Sequence, residues 1–194
     1  QTLLNHAVQK EVIEDNPLKS IKLEKPAMSE NELNTSGTAR RYLEQSEIEA
    51  LFRGIDLYQE NKRKQRDNSR SHGQPHLMDL NTVLFVDHVK PFILTMFFTG
   101  FRPGDLFGLR WEHLNLKFKT ITKTIEKTAH HNPEPRSFPL GEEPIRILND
   151  WWVQHKKPKA GYVFQGKTGT RMSKSAMQNP WSKIRTLAKL PENL

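Results

Sequence analysis

One short segment of the sequence combines a cation, a tight turn and a nearby carboxylate. It runs Thr99-Gly100-Phe101-Arg102-Pro103-Gly104-Asp105-Leu106 and is followed by Leu109-Arg110-Trp111. The guanidinium of Arg102 presents a planar fork of donors that suits a phosphate group, and Asp105 could hold that fork in place. The same residues also fit a helix–turn–helix corner with a structural Arg–Asp pair. Chemistry alone leaves these two interpretations equal.

The distribution of charge points to a polyanionic partner. The formal net charge is +8, and the stretch from Trp151 to Pro191 contains nine Lys or Arg residues and no Asp or Glu. A second basic cluster, between Lys62 and Arg70, is opposed by Asp67 alone. Fields of one sign favour nucleic acid as the partner, and a solvated basic surface is the alternative.

A second candidate for chemistry is a lysine-bearing hairpin. Residues 118–127 alternate in polarity and are rich in β-branched side chains, which predicts a strand. Residues 128–135 contain two prolines and predict a hairpin tip, and residues 136–140 predict the returning strand. Two lysines, Lys123 and Lys127, lie near the end of the first strand.

Hydrophobic spacing places helices on both sides of this hairpin. We predict helices at 46–57, 83–101 (ending at Gly100), 103–111 (opened by Pro103), 143–155 and 174–188. We expect a mobile basic loop at 59–76 and a helix at 1–14 that is stopped by Asp15-Asn16-Pro17. The fold class is therefore α+β, mostly helical with a small antiparallel sheet.

The arginine segment resembles the first arginine box of the tyrosine recombinase (phage integrase) family, T-G-hydrophobic-R-x-x-[ED]-L-x-x-L-x-W. The matching residues are Thr99, Gly100, Arg102, Asp105, Leu106, Leu109 and Trp111. Lys127-Thr128 and Arg136-Ser137-Phe138-Pro139-Leu140 resemble the K-T…R-x-hydrophobic-P-L hairpin that carries the family's catalytic lysine. Lys127 is the residue that matches. The loop is longer than the family's minimum, which leaves Lys123 as the alternative.

The resemblance implies the organisation of the chain and its activity. Residues 1–17 would be the last helix of a DNA-clamping (core-binding) domain, 18–41 a linker, and 42–194 the N-terminal part of a catalytic domain with the DNA breaking–rejoining fold. The activity would be site-specific DNA recombination through a covalent 3′-phosphotyrosyl intermediate. The partner would be a double-stranded recombination site, on which the full-length form assembles as a tetramer. No small-molecule substrate is implied.

The resemblance also implies roles for individual residues. Arg102 would neutralise the scissile phosphate, Lys127 would protonate the leaving oxygen, and Asp105 would support Arg102. This chemistry needs neither a metal nor a nucleotide cofactor. The basic side chains expected to contact the DNA backbone are Arg136, Lys167, Arg171 and Lys174.

One departure from the family concerns the remaining catalytic groups. No H-x-x-R box occurs in the 194 residues, and the three tyrosines, Tyr42, Tyr58 and Tyr162, precede the position of the family's nucleophile. We therefore expect an incomplete and inactive fragment of a recombinase. A non-catalytic basic DNA-binding module is the alternative, which the charge would explain but the ordered motifs would not.

Composition sets the cellular context. The chain has no cysteine, which fits a reducing cytoplasm. The resemblance implies a bacterial or phage-encoded protein that acts on the nucleoid. No apolar run reaches the roughly 18 residues needed to span a bilayer. Adjacent histidines, His130 and His131, point in different directions and lack a carboxylate cluster, so we expect no metal site there.

Overall fold

The structure, a computed structural model, describes residues 2–19, 21, 43–125, 134–166 and 168–191. It contains two compact units, Gln1–Tyr42 and Leu43–Leu194. Most of the predicted linker and most of the predicted hairpin tip lie outside the described residues. Within the described residues, no helix is long and apolar enough to cross a membrane.

The first unit contains helix α1 (Thr2–Gln9), which is shorter than the helix predicted at 1–14. Glu11 adopts a left-handed φ of 56°, and the amide of Val12 bonds the carbonyl of Ala7. These two features form a Schellman cap, which ends a helix by satisfying its last carbonyls. The expectation that Asp15-Asn16-Pro17 stops the helix was therefore wrong.

The second unit consists of helices and one small sheet, which lies between them in the sequence. Its elements are α2 (Gln45–Ser71), α3 (Val89–Thr99), α4 (Pro103–Phe107), β1 (Leu114–Asn115), β2 (Thr120–Lys123), β3 (Arg136–Pro139), α5 (Glu142–Gln154) and α6 (Ser175–Ala188), with short 3₁₀ turns at Leu80–Thr82 and Trp111–His113. The three strands pair antiparallel in the order β1-β2-β3. This arrangement confirms the predicted α+β class.

The core is built around α3, which packs on α5 and on α4. Phe92 of α3 stacks on Phe107 and meets Phe164 edge to face, with ring centroids 5.2 and 5.1 Å apart. Such aromatic pairs add about 0.5–1.5 kcal/mol beyond the area they bury. The left-handed Gly100 (φ 67°) ends α3 as predicted, and the chain turns directly into α4.

Helix α2 continues to Ser71 through the stretch predicted as a mobile loop, so that prediction was wrong. Three arginines on this part of the helix donate to carbonyls of the segment that follows: Arg63 to Leu80, Val83 and Leu84, Arg66 to Met78, and Arg70 to Leu77. The stretch lacks apolar periodicity, which is why the sequence did not reveal the helix. Its Lys, Arg, Gln and Glu residues nonetheless have good helix propensity.

Gly54 allows α2 to lie very close to α6. A Cβ at this position would stand 2.7 Å from the Cβ of Ala188 and 2.9 Å from the carbonyl oxygen of Ile184. Both neighbours belong to the helix itself rather than to flexible side-chain ends. The contact therefore requires glycine.

We predict that Gly54→Ala destabilises the second unit. The added methyl forces the helices apart, and overpacking of this kind costs about 1–3 kcal/mol, which outweighs the helix propensity of about 1 kcal/mol that alanine gains. Urea unfolding followed by circular dichroism measures the change, with the exposed Arg53→Ala as the control. An unchanged midpoint in Gly54→Ala would contradict the close approach.

Candidate functional site: a basic turn beside an apolar groove

Arg102 lies on the turn between α3 and α4, the arginine turn (residues 102–105). It is the N-cap residue of α4, its side chain is exposed, and its carbonyl accepts from the amides of Asp105 (3.0 Å) and Leu106 (3.2 Å). Pro103 occupies the first helical position, where its missing amide hydrogen costs nothing. The turn thus fixes the main chain of Arg102 while its guanidinium faces solvent.

Asp105 faces inward instead. It is 3% exposed, and its carboxylate lies 3.9 Å from the ammonium of Lys123, which is itself 5% exposed. The same ammonium donates to the main-chain carbonyl of Asp105 at 2.6 Å. Asp105 therefore joins the arginine turn to β2, and its support of Arg102 stays a prediction.

The sheet register places Arg136, which we predicted to contact DNA, beside Lys123. Arg136, at the start of β3, is the cross-strand partner of Lys123, so both side chains project from the same face of the sheet. Lys123 is buried at that face and Arg136 is exposed. Lys127 is four residues past Lys123, in the part of the hairpin that lies outside the described residues.

Arg171 lies on a second hairpin and contacts the arginine turn. Gln165 and Arg171 form an antiparallel bridge, and the buried Met172 anchors the returning strand in the core. The guanidinium of Arg171 donates to the carbonyl of Gly104 at 3.2 Å. Lys167 lies outside the described residues.

Lys174 completes the basic surface from the start of α6. Lys174 and Arg102 both line an open groove of about 810 Å³. The other lining residues are mainly apolar and come from α3, α4 and α6: Phe92, Ile93, Met96, Phe107, Met177 and Trp181. Two cations thus stand beside a large apolar concavity.

Arg110, the second arginine of the predicted box, has a different environment. Its guanidinium lies 2.9 Å from Glu112 and 5.0 Å from the centre of the Tyr162 ring. The hydrogen bond from Arg110 lowers the pKa of Glu112 and raises its own. Arg110 therefore serves the packing of the loop rather than the arginine turn.

The surroundings of His113 include the main chain of Arg110 and the charge of Lys123. Its Nδ1 accepts a hydrogen bond from the amide of Arg110 at 3.2 Å. Burial lowers the pKa of His113, and the positive charge of Lys123 lowers it further. Among the described residues, no cluster of three or more His, Cys, Asp or Glu side chains could hold a metal ion.

Comparison with known proteins identifies the family to which these motifs are similar. The sequence profile described as "Phage integrase family" matches residues 83–194, more than half of the chain. A search of curated proteins found no match. The crystal structure of XerA recombinase has a similar fold, with a TM-score of 0.50 at 13% sequence identity. The alignment covers 96% of this chain and 51% of that chain, so this chain spans about half the length of XerA.

We predict that the arginine turn binds a small oxyanion. In crystals soaked in sulfate, an anion should lie at charge-assisted hydrogen-bond distance, about 2.7–2.9 Å, from the guanidinium of Arg102. It should disappear in Arg102→Gln crystals and persist in those of Arg53→Gln, an exposed arginine on α2. Crystals in which no sulfate lies at the guanidinium of Arg102 would contradict the prediction that this side chain binds a phosphate.

Proposed function

Since the chain belongs to the phage integrase family, as its arginine box predicted, we propose that it forms part of the catalytic domain of a tyrosine recombinase. The observation that carries this proposal is the convergence of exposed cations on one turn. Arg102, Arg136, Arg171 and Lys174 come from four separate segments, and their contacts or register direct each to the arginine turn or to its groove. Such a surface suits the phosphates of a duplex.

The proposed reaction is phosphoryl transfer to a tyrosine. The tyrosine hydroxyl gives its proton to a general base of the full-length protein, and its oxygen forms a bond to the scissile phosphorus while the bond from phosphorus to the 5′-oxygen breaks, leaving a 3′-phosphotyrosyl link. Arg102 neutralises charge on the non-bridging oxygens through its planar fork. Lys127 protonates the departing 5′-oxygen. The bond energy is retained in the covalent link, so the chemistry needs no nucleotide cofactor. Arg102 and Lys127 supply the charge neutralisation and the proton, so the proposed chemistry needs no metal either.

Lys127 rather than Lys123 is the proposed proton donor. The burial of Lys123 and its contacts with Asp105 support this assignment, because a donor must reach the leaving oxygen. Lys127 also matches the family's motif.

We propose the domain boundaries that the sequence predicted. Residues 1–17 belong to a DNA-clamping domain, 18–41 form a linker, and 42–194 belong to the catalytic domain. The division of the structure between Tyr42 and Leu43 supports the second boundary. The full-length protein, bacterial or phage-encoded, would act in the cytoplasm on the nucleoid, as a tetramer on its recombination site.

The 194 residues are proposed to lack the nucleophile. The hydroxyl of Tyr58 donates to Asp87 at 3.2 Å, and burial together with Asp87 raises the pKa of this tyrosine. The ring of Tyr162 packs under Arg110. Both tyrosines therefore contact residues outside the arginine turn, and Tyr42 lies outside the described residues.

We predict weak, salt-sensitive binding of the chain to duplex DNA with little sequence preference. Each phosphate contact contributes about 0.9 to the slope of log affinity against log salt, so Arg171→Ala/Lys174→Ala should reduce the slope by about two. Fluorescence anisotropy at several salt concentrations measures the slopes. The control is Lys64→Ala, whose ammonium is paired with Glu60. A DNA affinity that does not change with salt would argue against this DNA-binding surface. Equal salt slopes in the double variant and in the Lys64→Ala control would do the same.

We predict that catalysis requires the full-length protein and Arg102. The 194-residue chain should form no covalent adduct on a nicked suicide substrate, whereas a form extended through the H-x-x-R box and tyrosine should. In that form, Arg102→Ala should slow adduct formation about 100- to 1000-fold, the usual effect of losing one preorganised donor. Arg53→Ala is the control.

A denaturing gel run side by side reports all four proteins. An adduct with the 194-residue chain would identify one of its own tyrosines as the nucleophile. An extended form that binds DNA but never forms an adduct would favour the non-catalytic DNA-binding module.

A further inference from the structure

Lys123 is a buried cation on the strand that leads to Lys127. Lys123 is only 5% exposed. Because a lysine is almost never buried without a partner, its contacts need to be identified. On β2 it shares the inner face with Ile121, which is fully buried. Its ammonium reaches the arginine turn, where it contacts both the carbonyl and the carboxylate of Asp105.

The shortness of α4 explains why that carbonyl can accept from a side chain. In a longer helix, the amide of Leu109 would bond the carbonyl of Asp105, four residues earlier. Here the amide of Leu109 bonds the carbonyl of Leu106 instead, at 3.1 Å. The last carbonyls of a helix need partners from outside it, and Lys123 supplies one.

The contact continues to Arg102 through the main chain. Lys123 donates to the carbonyl of Asp105, and the amide of Asp105 donates to the carbonyl of Arg102 at 3.0 Å. The ammonium of Lys123 is therefore linked to the carbonyl of Arg102 through two hydrogen bonds and the main chain of Asp105. In phosphoryl transfer, an error of about 1 Å in a catalytic group costs on the order of 100-fold in rate.

We propose that Lys123 is a positioning residue for the reaction. Its ammonium clamps the arginine turn to β2 and so sets the distance between Arg102 and the hairpin that carries Lys127. It donates no proton to the DNA. This inference rests on the proposed function, because it assigns Lys123 a task only if Arg102 binds the phosphate.

The first test is a double-mutant cycle in the 194-residue chain, read as affinity for a DNA duplex at 0.1 M salt. Arg102→Ala should weaken binding up to about eightfold, the contribution of one neutralised phosphate at this salt. Lys123→Met should also weaken DNA binding, by at least about threefold on the same scale. In a chain that already carries Arg102→Ala, it should weaken binding no further. A coupling of this kind arises when one residue acts through the other.

The control is Lys90→Met, which also removes an ion-paired lysine. Lys90 pairs with Asp56 on α2 and not with the arginine turn, so its effect should be the same in both backgrounds. Lys123→Met leaves the Asp105 carboxylate buried without this partner, which can unfold the chain. The cycle is therefore repeated with Lys123→Met/Asp105→Asn, which removes both charges and still lacks the clamp.

The second test uses the full-length recombinase and a substrate with sulfur in place of the bridging 5′-oxygen. A thiolate leaves without protonation, so this substrate should rescue cleavage by Lys127→Ala. It should not rescue Lys123→Met, since a misplaced Arg102 slows both substrates.

The outcomes separate the two proposals. Additive effects of Lys123→Met and Arg102→Ala, or rescue of Lys123→Met by the sulfur substrate, would overturn the positioning role and leave the recombinase proposal intact. Affinity and adduct formation that are both unaffected by Arg102→Ala would overturn the proposed function, and the positioning role with it.

Discussion

The ammonium of Lys123 bonded to the main chain of Asp105 is the contact on which the candidate site depends. It joins the sheet to the arginine turn. Both Lys123 and Asp105 are buried, so the ion pair is shielded from water and from salt. Breaking such a pair by removing one partner typically costs about 3–5 kcal/mol. The buried pair therefore ties the arginine turn to β2.

The basic residues of the chain divide into two groups with different tasks. Arg63, Arg66 and Arg70 satisfy carbonyls of the segment after α2 and so stabilise local structure. The exposed cations at the arginine turn remain at the surface beside the groove. Net charge cannot separate these groups, because a guanidinium that caps a loop and one that meets a phosphate count the same. Position in the fold makes the distinction.

Much of the site could be predicted because its signals are local. Backbone preference places Gly100 at a helix end and Pro103 at a first helical position, and the structure has them there. The alternation in β2 placed Lys123 on the face of Ile121. A strand pattern, however, says nothing about what covers that face. The burial of Lys123 under α4 could therefore not be predicted from the sequence. The hydrogen bond from Arg171 to Gly104 could not be predicted either.

By itself the sequence determined the family, the α+β class, the hairpin and the order of the motifs, since these follow from short-range spacing and from residue types. Tertiary structure decided the length of α2, the pairing of Asp105 with Lys123, and the gathering of Arg136, Arg171 and Lys174 around the arginine turn. Arg171 lies 67 residues from the carbonyl that it binds. Contacts across such separations depend on how the elements pack, and packing is a property of the whole core rather than of any local segment.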